Sequence, residues 1–172
     1  MNAVAPHPSA APVAELCLQL AEELLRSGSK LATAESCTGG LIAAACTELS
    51  GSSAWFERGF VTYSNEAKIE SLGVDAPLVL RHGAVSEEVA RAMVQGAIVH
   101  SRAQVAVAVT GVAGPTGGSL DKPVGTVWFG WSVGGQVQTQ MQHFAGDRAA
   151  VRAATVRHAL QHLLVLLQHR PA

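Results

Sequence analysis

Two side chains able to act as nucleophiles, Ser36 and Cys37, stand together in the run LATAESCTGG, residues 31–40. A short apolar stretch precedes them, and two glycines and an apolar helical stretch follow. That order is strand, turn, helix N-terminus. A helix starting here directs unpaired N–H groups and a partial positive charge at the turn, which suits an anion or a developing oxyanion. Ser36 is then either a nucleophile or, like Thr38, a helix cap, and the local sequence allows both. The G-x-S-x-G elbow is absent, because Ala34 and Thr38 stand where its glycines would be. Cys37 is the rival nucleophile. The helix N-terminus would lower its pKa and neighbouring Glu35 would oppose that.

A serine nucleophile needs a base, and no histidine stands in a motif-like context. Lys68, in YSNEAK (63–68), lies one turn into a predicted helix whose start abuts a strand end. Partly desolvated, it could take the hydroxyl proton; otherwise it is an ordinary solvated lysine. Tyr63 could relay a proton or hold the lysine, or be an aromatic packing residue. The glycine-rich stretch from Thr110 to Gly118 could close backbone N–H groups around an anion. It has neither G-K-[ST] nor G-x-G-x-x-G. Asp147 is a predicted N-cap, and Arg148 could grip a phosphate or carboxylate at two points or form a surface pair with Asp147. His158, His162 and His169 fall within about 40° on a helical wheel, opposite Val156, Ala159, Leu160, Leu163 and Leu167, and are expected on a solvated face. No H-E-x-x-H and no carboxylate cluster occurs, so no metal ligand set is expected.

The elements that must position these residues follow from periodicity. Residues 1–12 are rich in Ala and Pro and are expected to be a disordered tail, with one domain over 13–172. Helical spacing covers Val13 to Arg26, and Lys30 to Ala34 is a predicted strand. A helix over Leu41 to Leu49 leads to a strand over Trp55 to Tyr63, with Gly59 a possible bulge. A helix capped by Ser64 or Asn65 runs to about Leu72, where Gly73 stops it. Residues Val74 to Gly83 look like a loop. A helix from Ser86 to His100 precedes Val105 to Val109, apolar throughout like a strand covered on both faces. Thr110 to Pro123 is expected to be loop. Strands over Gly125 to Val133 and Gln136 to Phe144 are joined by Gly134-Gly135, and a helix runs from Asp147 to about Gln168. The order, βαβαβββα behind a leading helix, predicts a mixed sheet with helices on both faces.

Composition narrows the function. In 172 residues, hydrophobic side chains make up 48%, charged ones 15% and aromatics 5%. That excludes a disordered chain and implies a core of small aliphatics. A net charge of −1 with scattered Lys and Arg offers no nucleic-acid footprint. Three cysteines without a close pair suggest neither a disulfide framework nor a zinc site. Cys17 and Cys46 fall in apolar helical patterns. No secretory leader or membrane span is visible, so a cytoplasmic protein is expected. A homo-oligomer is expected from apolar content and size, with Trp55-Phe56 as a candidate contact.

Together these segments resemble the CinA C-terminal domain family, the nicotinamide-mononucleotide amidohydrolases. The resemblance rests on AESCTGG (34–40), GSSAWFERGFVTYSNEAK (51–68), HGAVSE (82–87), TGVAGPTGG (110–118), KPVGTVW (122–128) and FAGDRxxVR (144–152), in the family's order. It implies a three-layer α/β/α sandwich and a stand-alone form without the second domain of longer relatives. It implies hydrolysis of the carboxamide of nicotinamide mononucleotide to nicotinate mononucleotide and ammonia, in pyridine-nucleotide recycling, without metal or redox cofactor. It makes Ser36 the nucleophile and Lys68 its base, with Tyr63 and Thr110 at the same site. Chemistry then groups Glu35, Cys37, Thr38, Gly39 and Gly40 on the substrate and oxyanion side, where backbone donors are expected from Cys37 to Gly40. Gly111, Gly114 and Arg148 are expected at the ribose and phosphate. A non-catalytic pyridine-nucleotide-binding or regulatory module of the same fold is the alternative.

Overall fold

The computed structural model describes residues 12–170, so the expected N-terminal tail falls, but for Pro12, outside the described residues. Five strands form one mixed sheet in the order β2-β1-β3-β4-β5. They are β1 (Leu31–Glu35), β2 (Phe56–Val61), β3 (Val105–Gly111), β4 (Thr126–Val133) and β5 (Gln136–His143). β1 runs parallel to β2 and β3, while β4 and β5 continue antiparallel. The helices are α1 (Val13–Arg26), α2 (Leu41–Thr47), α3 (Asn65–Leu72), α4 (Ala76–His82), α5 (Glu87–Val99) and α6 (Arg148–Gln168).

Strand alternation divides the core in two. Leu31 of β1, Val105, Val107 and Val109 of β3 and Phe129 and Trp131 of β4 face α1, α2 and α6. Ala32, Ala34, Ala106 and Ala108 face the layer that holds α3, α4 and α5. Small side chains on that second face let α5 approach closely. A Cβ added to Gly130 of β4 would lie 2.7 Å from the Ala90 carbonyl oxygen. The result is the expected three-layer arrangement with a mixed sheet.

Several expectations need correction. Residues 74–83 are not all loop: Asp75 stands at the N-cap and Pro77 in the first turn of α4. Only Val79 of this helix is buried, so it has no apolar stripe to betray it. The register irregularity of β2 lies at Glu57, since Leu31 pairs with Phe56 and Ala32 with Arg58; Gly59 pairs regularly with Thr33. Thr110 and Gly111 belong to β3, paired with Trp128 and Val127, and the loop starts only after them. Trp55 is 2% exposed and packs in the core, so it offers no contact surface. His158 and His162 are not on a solvated face. His158 stacks edge-on against Phe129 at 4.8 Å, and His162 lies 4.3 Å from Trp131, centroid to centroid. Among the described residues, no helix is long and apolar enough to cross a membrane.

Candidate active site

The register of three strands builds the site. Glu35 pairs with Val61 on one side and Val109 on the other. The next residues, Ser36, Thr62 and Thr110, therefore meet at the C-terminal edge of the sheet, on the face shared with Ala34 and Ala108. Open α/β sheets bind ligands at such edges. Alternation sends Glu35 to the opposite face, beneath α2.

Glu35 is wholly buried there. Its carboxylate accepts from Thr38 Oγ1 at 2.7 Å and from the amides of Gly40, Ile42 and Ala43 at 3.1, 2.9 and 2.8 Å. Thr33 Oγ1 donates at 3.3 Å. The acid thus satisfies the first amides of α2 from inside the fold and complements its dipole. This corrects the expectation that Glu35 faces substrate. Gly39 and Gly40 hold φ of +61° and +97°, which side chains other than glycine adopt only under strain. Their amides are also engaged, that of Gly39 with the Ser36 carbonyl and that of Gly40 with Glu35. Among the described residues, the amides of Cys37 and Thr38 are the ones in this turn left without a protein acceptor.

Lys68 is 1% exposed and its Nζ lies 3.0 Å from Ser36 Oγ. The same Nζ donates to the carbonyls of Thr62 at 2.7 Å and Ser64 at 3.5 Å. Ser64 caps α3 by accepting from the Ala67 amide, which fixes where the helix begins and so where Lys68 points. Among the described residues no carboxylate forms an ion pair with Lys68. A buried ammonium without a counter-ion is disfavoured, and burial lowers its pKa to about 8. Cys37 lies beside this pair, but burial pushes its thiol up to about 11, so the thiolate is scarce at neutral pH. Cys17 and Cys46 are free, buried thiols in the core beneath α1 and α2, away from the turn.

The other expected residues are distributed around this pair. Tyr63 is exposed and does not hold the lysine. Its hydroxyl accepts from Arg148 Nη2 at 2.7 Å, while Arg148 Nη1 donates to the Gly114 carbonyl at 3.0 Å. Thr110 is buried and its hydroxyl donates to the Ala84 carbonyl at 2.8 Å. Gly111 is the last residue of β3, against Val127. A cleft of about 600 Å³ adjoins the turn, lined by Ala113, Pro115, Val124 and the start of α6, including Arg148 and Arg152. Asp147 caps α6 through the Ala150 amide at 2.9 Å. A helix N-terminus and two guanidinium groups make this cleft electropositive. A cavity of about 670 Å³ lies at the opposite sheet edge, near Val133 and His169, remote from the amine and hydroxyl.

Sequence reasoning missed Arg152, whose Nη2 donates to the Thr38 carbonyl at 2.8 Å. Two signals could have found it: it closes the FAGDRxxVR stretch (144–152), and it stands four residues after Arg148 on the same face of α6. Among the described residues, no group of three or more His, Cys, Asp or Glu is gathered as a metal site would require.

Comparison with known proteins agrees across nearly the whole chain. Residues 13–167 match the CinA C-terminal domain. A Pseudomonas putida protein named nicotinamide-nucleotide amidohydrolase PncC is 55% identical over 155 residues, covering 90% of this chain and 97% of that one. The Escherichia coli K12 protein of the same name is 51% identical over 150 residues, covering 87% and 91%. A crystal structure of competence damage-inducible protein A from Klebsiella pneumoniae matches with a TM-score of 0.90 and 42% identity, covering 94% of this chain and all of that one. The competence/damage-inducible protein CihA from Agrobacterium tumefaciens matches with a TM-score of 0.87 and 45% identity, over 96% of this chain and all of that one.

Proposed function

The chain belongs to the CinA C-terminal domain family, and from that premise we propose that it hydrolyses the carboxamide of nicotinamide mononucleotide through a serine nucleophile and a lysine base. Relatives named nicotinamide-nucleotide amidohydrolase, about half identical over most of both chains, support the substrate. The observation that carries the mechanism is the 3.0 Å contact between Lys68 Nζ and Ser36 Oγ in a buried setting.

Amides are poor electrophiles, and an acyl-enzyme divides their hydrolysis into two easier steps. Neutral Lys68 accepts the Ser36 hydroxyl proton as Oγ bonds to the carboxamide carbon. The oxyanion that forms is stabilised by the Cys37 and Thr38 amides, each worth about 3 kcal/mol by analogy with other acyl-transfer sites. Collapse breaks the C–N bond, and the proton on Lys68 goes to the leaving nitrogen, which departs as ammonia. Water then attacks the Ser36 ester; Lys68 takes its proton and returns it to Oγ, releasing nicotinate mononucleotide. The carbonyls of Thr62 and Ser64 hold Nζ throughout. Arg148 and the α6 N-terminus receive the phosphate, so that binding energy far from the amide orients it.

The test is to incubate the full chain with nicotinamide mononucleotide and measure ammonia and nicotinate mononucleotide. Equal amounts of the two support the reading. Tight binding of the nucleotide without either product would replace it with a binding module.

A further inference from the structure

The chemistry above leaves Arg152 without a part, although the fold holds it in an unusual way. Its Nη2 donates to the Thr38 carbonyl at 2.8 Å, while its Nε is buried without any partner. Burying an idle guanidinium N–H destabilises a fold, so a side chain held in this way invites an explanation. It comes from α6, on the far face of the sheet from Lys68, and reaches across the catalytic edge to one backbone carbonyl of the Ser36–Gly40 turn.

That carbonyl sits at the weak point of the turn. The Thr38–Gly39 peptide is a single plane, and Gly39 and Gly40 on its far side both hold positive φ. Glycines cross between backbone regions at little steric cost. A flip of this plane would break the bond from the Gly39 amide to the Ser36 carbonyl, 3.0 Å long. That would release the Ser36–Cys37 plane, which carries the Cys37 amide, and loosen the Cys37–Thr38 plane between the two. Glu35 restrains the far end of the turn through Gly40, Ile42 and Ala43. The Thr38 carbonyl itself has two restraints, a long one from the Leu41 amide at 3.4 Å and the short one from Arg152 at 2.8 Å, and a Cβ at Gly39 would lie 3.5 Å from the Arg152 Nη2.

We propose that Arg152 is a positioning residue that fixes the Thr38 carbonyl and thereby aims the Cys37 and Thr38 amides at the oxyanion. This inference rests on the acyl-transfer reading of the site. Arg152 acts on the transition state through the turn, whereas Arg148, one helical turn earlier, acts on the bound phosphate.

Kinetics of Arg152→Gln separate these roles. With nicotinamide mononucleotide, kcat falls about 10- to 100-fold, less than the roughly 100- to 1,000-fold of removing an oxyanion donor outright because the amides are misaimed and not lost, and KM stays within about threefold. With nicotinamide riboside, which lacks the phosphate, the fold loss is the same. Free guanidinium restores part of the kcat of Arg152→Ala. An unchanged kcat overturns the proposal. A raised KM that disappears with the riboside also overturns it and makes Arg152 a phosphate ligand. Binding of nicotinate mononucleotide to the variant, measured calorimetrically, checks that the site is folded. If Arg152→Gln does not fold, Arg152→Lys decides: lowered kcat at constant KM supports the proposal, and wild-type kcat overturns it. A wild-type chain that releases no ammonia fails the acyl-transfer reading instead, which keeps the two failures distinct.

Discussion

Lys68 Nζ and Ser36 Oγ lie 3.0 Å apart although 32 residues separate them in sequence. Parallel pairing of β1 with β2 brings the two strand ends together, and the Ser64 cap then sets the first turn of α3 against Ser36. The amine is buried without a carboxylate, which favours its neutral, basic form.

Burial that lowers the Lys68 pKa to about 8 has a kinetic signature. kcat/KM reports the free enzyme and should rise with pH to a plateau, with a midpoint near 8. A thermodynamic signature accompanies it. The folded pKa lies below the unfolded value, so between roughly pH 8 and 10.5 the unfolded chain binds more protons. Wild type should therefore gain stability relative to Lys68→Met as pH rises through that window, measured by denaturant titration at each pH. A pH-independent difference would contradict a neutral-lysine site.

Cys37 tests the choice of nucleophile. Its buried thiol is held at about 11, so Cys37→Ala should keep kcat within about threefold of wild type. The lost volume in a buried position should lower stability by about 1 kcal/mol. Steady-state ammonia release and thermal melting measure the two effects.

Glu35→Gln probes the support beneath the turn. The amide keeps one acceptor oxygen and places an NH2 among donors that now bind the carboxylate. Leaving buried amides of α2 unpaired should cost about 2–4 kcal/mol, visible as a fall of many degrees in Tm. Surviving enzyme should show lowered kcat. A Tm close to wild type would mean the capping network contributes little.

Arg148 joins Tyr63 Oη to the Gly114 carbonyl at the mouth of the cleft. Arg148→Ala should raise KM for nicotinamide mononucleotide about tenfold or more, with a smaller change for the riboside. Tyr63→Phe removes one exposed contact and should change KM by less than about threefold. Equal effects of Arg148→Ala on both substrates would place the phosphate elsewhere.

Much of the fold was legible because its signals are local. The helical spacing of α1, the caps at Ser64, Ser86 and Asp147, and the glycine pair between β4 and β5 each mark an element without help from the rest of the chain. What escaped depends on partners. Helix α4 buries one side chain, too few for a period. The wheel put His158 and His162 opposite the leucines of α6. It could not show Phe129 and Trp131 reaching round from β4 to meet them. Glu35 looked like a neighbour of the nucleophile, because adjacency in sequence is easy to see. Extending β1 by one residue turns it to the other face and makes it the cap of α2. Arg152 closes the FAGDRxxVR stretch, but nothing local says what it touches, since its partner is a carbonyl 114 residues away.

The most direct measurement compares ammonia release from nicotinamide mononucleotide by wild type, Cys37→Ala and Ser36→Ala at pH 8. A serine nucleophile with a lysine base predicts release by the first two and a loss of at least about 1,000-fold in the third. Release by Ser36→Ala within tenfold of wild type would contradict the account.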